Sequence, residues 1–182
     1  MKEQWLKKAI AFLLLFALWS IASLCAAMRS QISADELYIR NVGEIQLGWE
    51  ISPADISEVL GEVLELNPGG NDSAMYVICE GGTVWLARYG DGAMDTEASV
   101  QCAIFTKEDV STRRGVQIGD DAALVVQTYG RPAGTRANMK KSYQGVVDVW
   151  QTYHAGPLER IVFGIRNGRV TAIAVSKMSS GV

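Results

Sequence analysis

Residues 115–132 read GVQIGDDAALVVQTYGRP, and residues 44–63 read EIQLGWEISPADISEVLGEV. The two stretches share an apolar-Gln-apolar-Gly phrase, followed by a short helical pattern that closes on a glycine. Self-similarity of this kind is typical of a duplicated unit that packs against its copy. The sequence therefore predicts two tandem halves, each opened by one of these stretches.

Both stretches carry the start and stop signals of a helix. In the first half Ser52 is a favoured N-cap and Pro53 suits the first helical position; in the second half Asp120 or Asp121 offers the cap. The glycines suited to follow the helices are Gly61 and Gly130. The predicted buried stripes are Ile56, Val59 and Leu60 in the first helix, and Leu124, Val125 and Tyr129 in the second.

Three predicted strands follow each helix. They cover residues 75–80, 83–89 and 99–105 in the first half, and 143–154, 158–166 and 169–177 in the second. Gly81-Gly82 and Asn167-Gly168 are hairpin signals. The polar or glycine-rich segments predicted as loops are 64–74, 90–98 and 133–142.

The predicted fold class is α+β, with an N-terminal signal or transmembrane helix followed by two αβββ repeats. We expect antiparallel strands with one face covered by helices, in a sheet of about six strands split over the two tandem units. The predicted layout is a leader at 1–28, a linker at 29–43, repeats at 44–112 and 113–178, and a tail at 179–182.

The first 28 residues have the pattern of a secretory signal or an uncleaved anchor. A basic start is followed by an uncharged stretch from Ala9 to Met28, whose 20 residues are enough for a helix to cross about 30 Å of hydrocarbon. Basic flanks stay on the cytoplasmic side, so residues 29–182 are expected outside the membrane, or secreted after cleavage. A lipoprotein interpretation through Cys25 is weaker, because a lipobox requires a small residue where Leu24 stands.

The charge balance argues against nucleic acid as a partner. The net charge is −3; Lys2, Lys7 and Lys8 against Glu3 give the first 28 residues +2, which leaves −5 for the rest. An acidic body is a poor match to a phosphate backbone. The basic residues outside the leader that remain as a candidate patch are Arg113, Arg114, Arg131, Arg136, Lys140 and Lys141, and solvated loop charge is the favoured interpretation.

The phrase VQIGDDAALVVQTYGRP, preceded by Thr-Arg-Arg-Gly at residues 112–115, resembles a pattern in exported bacterial proteins. It is similar to the repeat domains of the outer-membrane assembly lipoprotein family (SmpA/OmlA) and to the β-lactamase-inhibitor-protein fold. The resemblance implies a protein-binding or scaffolding module of the cell envelope that is not an enzyme. The chain departs from the family pattern in lacking a clean lipobox, and its first half lacks the Gly-Asp and Tyr-Gly-x-Pro elements.

The sequence contains no familiar catalytic or metal motif, so no cofactor and no metal is expected. G-x-S-x-G, G-x-x-x-x-G-K-[ST] and H-E-x-x-H are all absent. His154 as a general base would need a nucleophile and an orienting acid, and the spacing supplies neither. Asp120-Asp121 lacks a calcium loop and is better explained as a helix cap. Cys79 and Cys102, on two predicted strands, are candidates either for a disulfide or for two buried thiols.

Exposed aromatic side chains are the candidate partner contacts. Tryptophan and tyrosine are common anchors of protein interfaces, although a core position is the commoner fate of each one. Trp150 and Tyr153 are three residues apart on a strand and must face opposite sides. The candidates are Trp85, Tyr89, Trp150 and Tyr153. The sequence thus predicts a binding module that presents an aromatic sheet face to a protein partner in the envelope; the alternatives are a self-assembling membrane accessory and an enzyme of unrecognised type.

Overall fold

The computed structural model describes residues 32–68, 74–87, 97–139 and 143–177. These ranges form a mostly antiparallel sheet with two α-helices, which confirms the α+β class. None of the helices in these ranges has the length and apolar character that a membrane span requires. The leader predicted at 1–28, with Cys25, and the tail at 179–182 lie outside the described residues.

In each half a helix is followed by four strands of the large sheet, and the short strands β1, β2 and β7 lie outside this pattern. The helices are α1 (Pro53–Leu60) and α2 (Ala122–Tyr129), and a 3₁₀ turn spans Ala34–Leu37. The strands are β1 (Ile39–Arg40), β2 (Glu50–Ile51), β3 (Val63–Pro68), β4 (Ala74–Cys79), β5 (Gly82–Ala87), β6 (Ala98–Phe105), β7 (Ser111–Thr112), β8 (Gly134–Ala137), β9 (Val149–His154), β10 (Glu159–Arg166) and β11 (Arg169–Lys177).

The predicted αβββ order lacks one strand in each half. Strands β3 and β8 fall in segments predicted as loops, and they are the two ends of the sheet. Every residue of β8, and every residue of β3 after Val63, is exposed. A strand with both faces in solvent needs no apolar alternation, so the pattern that reveals half-buried strands is missing there.

The strands of both halves join one continuous sheet in the order β3-β4-β5-β6-β11-β10-β9-β8, with β2 also beside β6 and with β1 and β7 paired separately. At its centre Ile104 lies opposite Ala174, flanked by the pairs Phe105–Ile173 and Ala103–Val175. Matching register shifts leave Gln101 of β6 and Thr171 of β11 unpaired with the flanking strands, each three residues before its member of the Ile104–Ala174 pair. The two halves are therefore related by an approximate two-fold axis through that pair, and each first-half position on the sheet has an equivalent in the second half.

The helix signals read from the sequence are confirmed at both ends of both helices. Ser52 Oγ accepts from the Asp55 N–H at 3.3 Å, and Asp55 completes a capping box, with Pro53 in the first turn. Asp121 caps α2 by accepting from the Ala123 N–H at 2.8 Å. The glycines that follow the helices, both with positive φ, are Gly61 and Gly130.

The larger apolar core lies between the helices and one face of the sheet. It includes Ile56 and Leu60 of α1, Val125 and Tyr129 of α2, and alternate residues of the inner strands. Leu124, predicted in the buried stripe of α2, is instead 37% exposed. We call the opposite surface of the sheet, away from α1 and α2, the far face.

The duplicated phrase ties each helix entry to the sheet in the same way. Gly48 donates its N–H to the Val100 carbonyl of β6 at 2.8 Å, and the Val100 N–H donates to the Trp49 carbonyl at 2.9 Å. Val170 of β11 makes the same two bonds, at 2.7 and 2.8 Å, with the turn after the second phrase. The sequence repeat thus corresponds to a structural repeat.

The segment predicted as a linker is in fact part of the folded domain from Ile32 onward. Its apolar side chains Ile32, Leu37, Ile39 and Val42 are at most 6% exposed. Strand β1 pairs with β7 of the second half, Ile39 opposite Thr112. Burial of these side chains contributes hydrophobic free energy that a mobile linker would not provide.

Candidate functional site

The far face carries a stacked aromatic pair in the first half. Tyr76 of β4 and Trp85 of β5 lie opposite each other in the register and alternate with core residues of the same strands. Their ring centroids are 5.9 Å apart with an interplanar angle of 11°. Tyr76 is 40% exposed. The Trp85 Nε1 atom is buried and finds no hydrogen-bond partner in the described part of the chain.

The second half carries one aromatic residue at the equivalent place, and there a second ring from outside the sheet packs on it. Trp150 of β9 is the equivalent of Tyr76, because each lies two strands out from matching residues of the central pair of strands. The ring of Tyr143 packs edge-on against Trp150 at 5.6 Å and 88°. Trp150 Nε1 donates to Asn138 Oδ1 at 3.2 Å. The connection before β9 therefore supplies both an apolar lid and a hydrogen-bond acceptor.

Gly164 of β10 makes that covering possible. A Cβ at this position would lie 2.6 Å from Val147 Cγ2 and 3.0 Å from Trp150 Cζ3. The Thr171 hydroxyl donates to the Val146 carbonyl at 2.7 Å and holds the covering segment to β11. The equivalent of Gly164 in the first half is Trp85, whose ring fills the space. We call residues 143–147 the cover segment.

Tyr143 of the cover segment reaches the centre of the sheet. Burial raises the pKa of its hydroxyl, a hydrogen bond with Thr83 of β5 opposes that shift, and Cys102 adds a small increase. Tyr143 is only 9% exposed. The cover segment therefore packs on the far face of the second half, and its Tyr143 reaches Thr83 in the first half.

The four aromatic residues predicted as partner contacts lie in different environments. Trp85 and Trp150 lie on the far face, each partly exposed, and Trp150 is under the cover segment. Tyr153 faces the opposite side, as the three-residue spacing predicts, and is fully buried against Tyr129 and Phe163. A fully buried ring cannot contact a partner, so Tyr153 is a core residue. Tyr89 lies outside the described residues.

The two cysteines of the first half lie on opposite faces of the sheet, and no disulfide joins Cys79 to Cys102 in the structure. Cys79 pairs with Gly82 and faces the core, whereas Cys102 pairs with Trp85 on the far face. Side chains that point to opposite sides of a sheet cannot form a disulfide. Burial raises the pKa of the Cys79 thiol, which makes it a poor nucleophile.

The polar residues considered for catalysis or metal binding have structural roles instead. His154 ends β9 opposite Arg160, whose Nε donates to Ser176 Oγ at 2.7 Å. Asp120 accepts the Gln117 N–H at 2.7 Å in the turn before α2. Among the described residues no group of three or more His, Cys, Asp or Glu side chains is arranged to hold a metal ion.

The described basic residues of the predicted patch are dispersed. Arg113 pairs with Asp35 and Arg114 with Glu36, whereas Arg136 lies on edge strand β8. Pairing with carboxylates offsets the positive charge that a phosphate backbone would require. Lys140 and Lys141 lie outside the described residues.

A cleft that the sequence did not reveal lies beside the 3₁₀ turn. It has a volume of about 550 Å³ and is lined by Tyr38, Trp49, Arg40, Arg113, Leu37 and Glu159, among others. Tyr38 and Trp49 are 50% and 52% exposed. Trp49 immediately follows the first duplicated phrase, but the position of a tryptophan in the sequence does not indicate its exposure.

Comparison with known proteins gives one weak structural similarity. No protein-family model matches the chain, and no curated protein matches it. Among solved structures the chain is similar to a DUF4309 family protein (YjgB) from Bacillus subtilis subsp. subtilis str. 168, with 12% identity and a TM-score of 0.39 over 69% of this chain and 78% of that one. A likeness at this level supports no statement about function. The resemblance to the SmpA/OmlA and β-lactamase-inhibitor-protein domains stays a prediction.

Proposed function

We propose that this chain is a non-catalytic binding module of the bacterial cell envelope, exported or membrane-anchored through residues 1–28, and that the Tyr76–Trp85 pair receives a segment of a protein partner. One observation carries the proposal: Tyr76 is 40% exposed, whereas its equivalent Trp150 is covered by the chain's own Tyr143. The leader pattern of the sequence supports the location.

The cover segment indicates the chemistry of the partner. On the second half a short stretch of polypeptide contributes one aromatic ring from Tyr143 and one aliphatic side chain from Val147. It also donates no strand to the sheet, because the described residues 143–148 lie outside any strand. We expect the partner to present a similar short segment, with an aromatic or aliphatic anchor that packs on the exposed Tyr76 ring.

The test is site-specific photo-cross-linking in cells that produce the full-length protein. A photoreactive phenylalanine analogue is placed at Tyr76 and, as a control of similar exposure, at Leu124 on the outer face of α2. The proposal expects one recurrent envelope protein attached through position 76 and none through position 124. The purified partner should then bind the wild-type chain and the Leu124→Ala variant alike, and the Tyr76→Ala variant less tightly.

Attachment of the same proteins through both positions would overturn the proposal, as would equal binding by all three forms. Adducts only between copies of this chain would favour the second candidate, a self-assembling accessory. That candidate has its own observation: among the described residues β3 pairs only with β4, and its Leu64 and Leu66 are 62% and 45% exposed. An open edge with exposed leucines is suited to strand pairing between chains.

A further inference from the structure

The cleft beside the 3₁₀ turn is separate from the Tyr76–Trp85 surface. Its walls come from the 3₁₀ turn and β1 on one side and from the duplicated phrase, residues 46–49, on the other. Glu159, the first residue of β10, completes it. Its volume of about 550 Å³ is in the range of small-molecule sites.

Two aromatic rings are the most prominent feature of this cleft. Tyr38 and Trp49 are the most exposed aromatic side chains of the described residues, at 50% and 52%, and both line it. Together they offer apolar surface that a ligand would remove from water on binding. Their flat faces suit a ligand that offers a flat array of C–H groups.

Hydrogen bonds hold the backbone that carries both rings. The buried Gln46 side chain accepts the Ile39 N–H at 3.1 Å and donates to the Ile39 carbonyl at 2.8 Å, next to Tyr38. The Trp49 carbonyl accepts the Val100 N–H of the central sheet at 2.9 Å. The walls are therefore preorganised, which lowers the entropic cost of binding.

The charges of the cleft balance. Arg113 pairs with Asp35 at 3.5 Å on one side. Arg40 and Glu159 also line the cleft, and among the described residues neither takes part in a salt bridge. A strongly anionic ligand would meet two carboxylates, and a strongly cationic one would meet two guanidinium groups. A neutral ligand rich in hydroxyl groups can donate to the carboxylates and accept from the guanidinium groups.

We propose that this cleft binds a neutral saccharide, with sugar rings packed on Tyr38 and Trp49 and hydroxyl groups hydrogen-bonded to Arg40 and Glu159. The assignment is independent of the proposed protein-binding surface. It rests on three features of the cleft: two exposed aromatic rings, equal numbers of positive and negative side chains, and walls fixed by hydrogen bonds.

The test is calorimetric titration of the full-length protein with four tetrasaccharides: cellotetraose and N,N′,N″,N‴-tetraacetylchitotetraose as neutral probes, and tetragalacturonate and the deacetylated chitosan tetramer as anionic and cationic probes. The proposal expects at least one neutral probe to bind more tightly than both charged ones. Trp49→Ala should weaken that binding about tenfold, the size of one aromatic contact. Trp49→Phe should restore part of it, and circular dichroism shows that each variant is folded.

Tyr76→Ala is the matched control, since it alters an exposed aromatic residue outside the cleft. It should leave saccharide binding unchanged while it reduces binding of the protein partner. Trp49→Ala should weaken saccharide binding and leave binding of the protein partner unchanged. Absence of binding by both neutral probes up to about 10 mM, where even millimolar affinity is measurable, would overturn the saccharide proposal. Binding of the charged probes alone would also overturn it, as would equal affinity of the Trp49→Ala variant.

Discussion

Tyr76 and Trp150 occupy equivalent positions on the far face of the two halves, and among the described residues a ring from outside the sheet packs on Trp150 but not on Tyr76. The ring of Tyr143 lies 5.6 Å from Trp150, whereas Tyr76 keeps 40% of its surface exposed. The internal repeat thus provides its own reference: the second half shows how a polypeptide segment packs on this face, and in the first half the described residues place no such segment over Tyr76.

Gly164→Ala should destabilise the protein by about 1–3 kcal/mol, the usual cost of overpacking. The new Cβ would lie 2.6 Å from Val147 Cγ2 and 2.9 Å from Ala172 Cβ, so the cover segment has to move. Urea unfolding measures the loss, and the fluorescence of Trp150 should report the displacement. Gly134→Ala is the control, because nothing lies within 4 Å of its Cβ position. Equal stability of the two variants would contradict the tight fit at Gly164.

Gln46→Ala should cost about 1–3 kcal/mol, because it leaves the buried N–H and carbonyl of Ile39 without partners. Gln117, its counterpart in the second phrase, is exposed, and its side chain donates to the Glu108 carbonyl at 2.8 Å. Gln117→Ala should therefore change the free energy of unfolding by less than about 1 kcal/mol. Thermal and urea unfolding compare the two variants directly. A larger loss from Gln117→Ala would refute the unequal roles of the two glutamines.

Arg114→Ala should be more damaging than the same change at Arg113. Arg114 Nε contacts Glu36 Oε1 at 3.0 Å, and its guanidinium lies 5.0 Å from the centre of the Tyr129 ring. The Glu36 side chain is only 15% exposed, so loss of its partner leaves a largely buried charge. Because Arg114 is itself 38% exposed, we expect about 1–3 kcal/mol, below the cost of breaking a fully buried pair.

Arg113 is the neighbouring control. Its contact with Asp35 is longer, at 3.5 Å, and joins side chains that are 52% and 78% exposed. Arg113→Ala should change the free energy of unfolding by no more than about 0.5 kcal/mol. If urea titration gives the two variants the same midpoint, the Glu36–Arg114–Tyr129 cluster does not stabilise the fold.

Alkaline pH should destabilise the protein through Tyr153. Burial, with a smaller contribution from Tyr129, raises the pKa of Tyr153 from 10.0 to about 12 in the folded state. The folded protein therefore holds a proton that the unfolded chain releases above pH 10. The stabilisation is fully present below pH 10 and is lost as the pH rises from 10 to 12.

Tyr153→Phe isolates this effect. The variant loses the hydrogen bond to the Gly130 carbonyl at every pH, but it should lose less further stability between pH 9 and 11.5 than the wild type. Urea unfolding at a series of pH values measures both slopes. Parallel slopes would show that Tyr153 does not titrate differently in the folded and unfolded states.

Local interactions explain what was predictable. The Ser52 cap, the two glycines after the helices and the Asn167-Gly168 hairpin depend on neighbours within four residues, and all are observed as predicted. The duplicated phrase was also visible, and its two turns make matching hydrogen bonds to Val100 and Val170. The missed strands β3 and β8 are edges, exposed on both faces, and so lack the alternation on which strand prediction depends.

The α+β class, the duplication, the helix ends and the opposite orientations of Trp150 and Tyr153 follow from local sequence, because periodicity and capping are properties of the local chain. Contacts between distant parts of the chain set the rest: the two halves share one sheet, Ile32, Leu37, Ile39 and Val42 enter the core, and the cover segment packs on Trp150. Exposure depends on what packs against a side chain from distant parts of the chain. The cleft between Tyr38 and Trp49 has the same origin, since it forms where the 3₁₀ turn, the first phrase and the start of β10 meet.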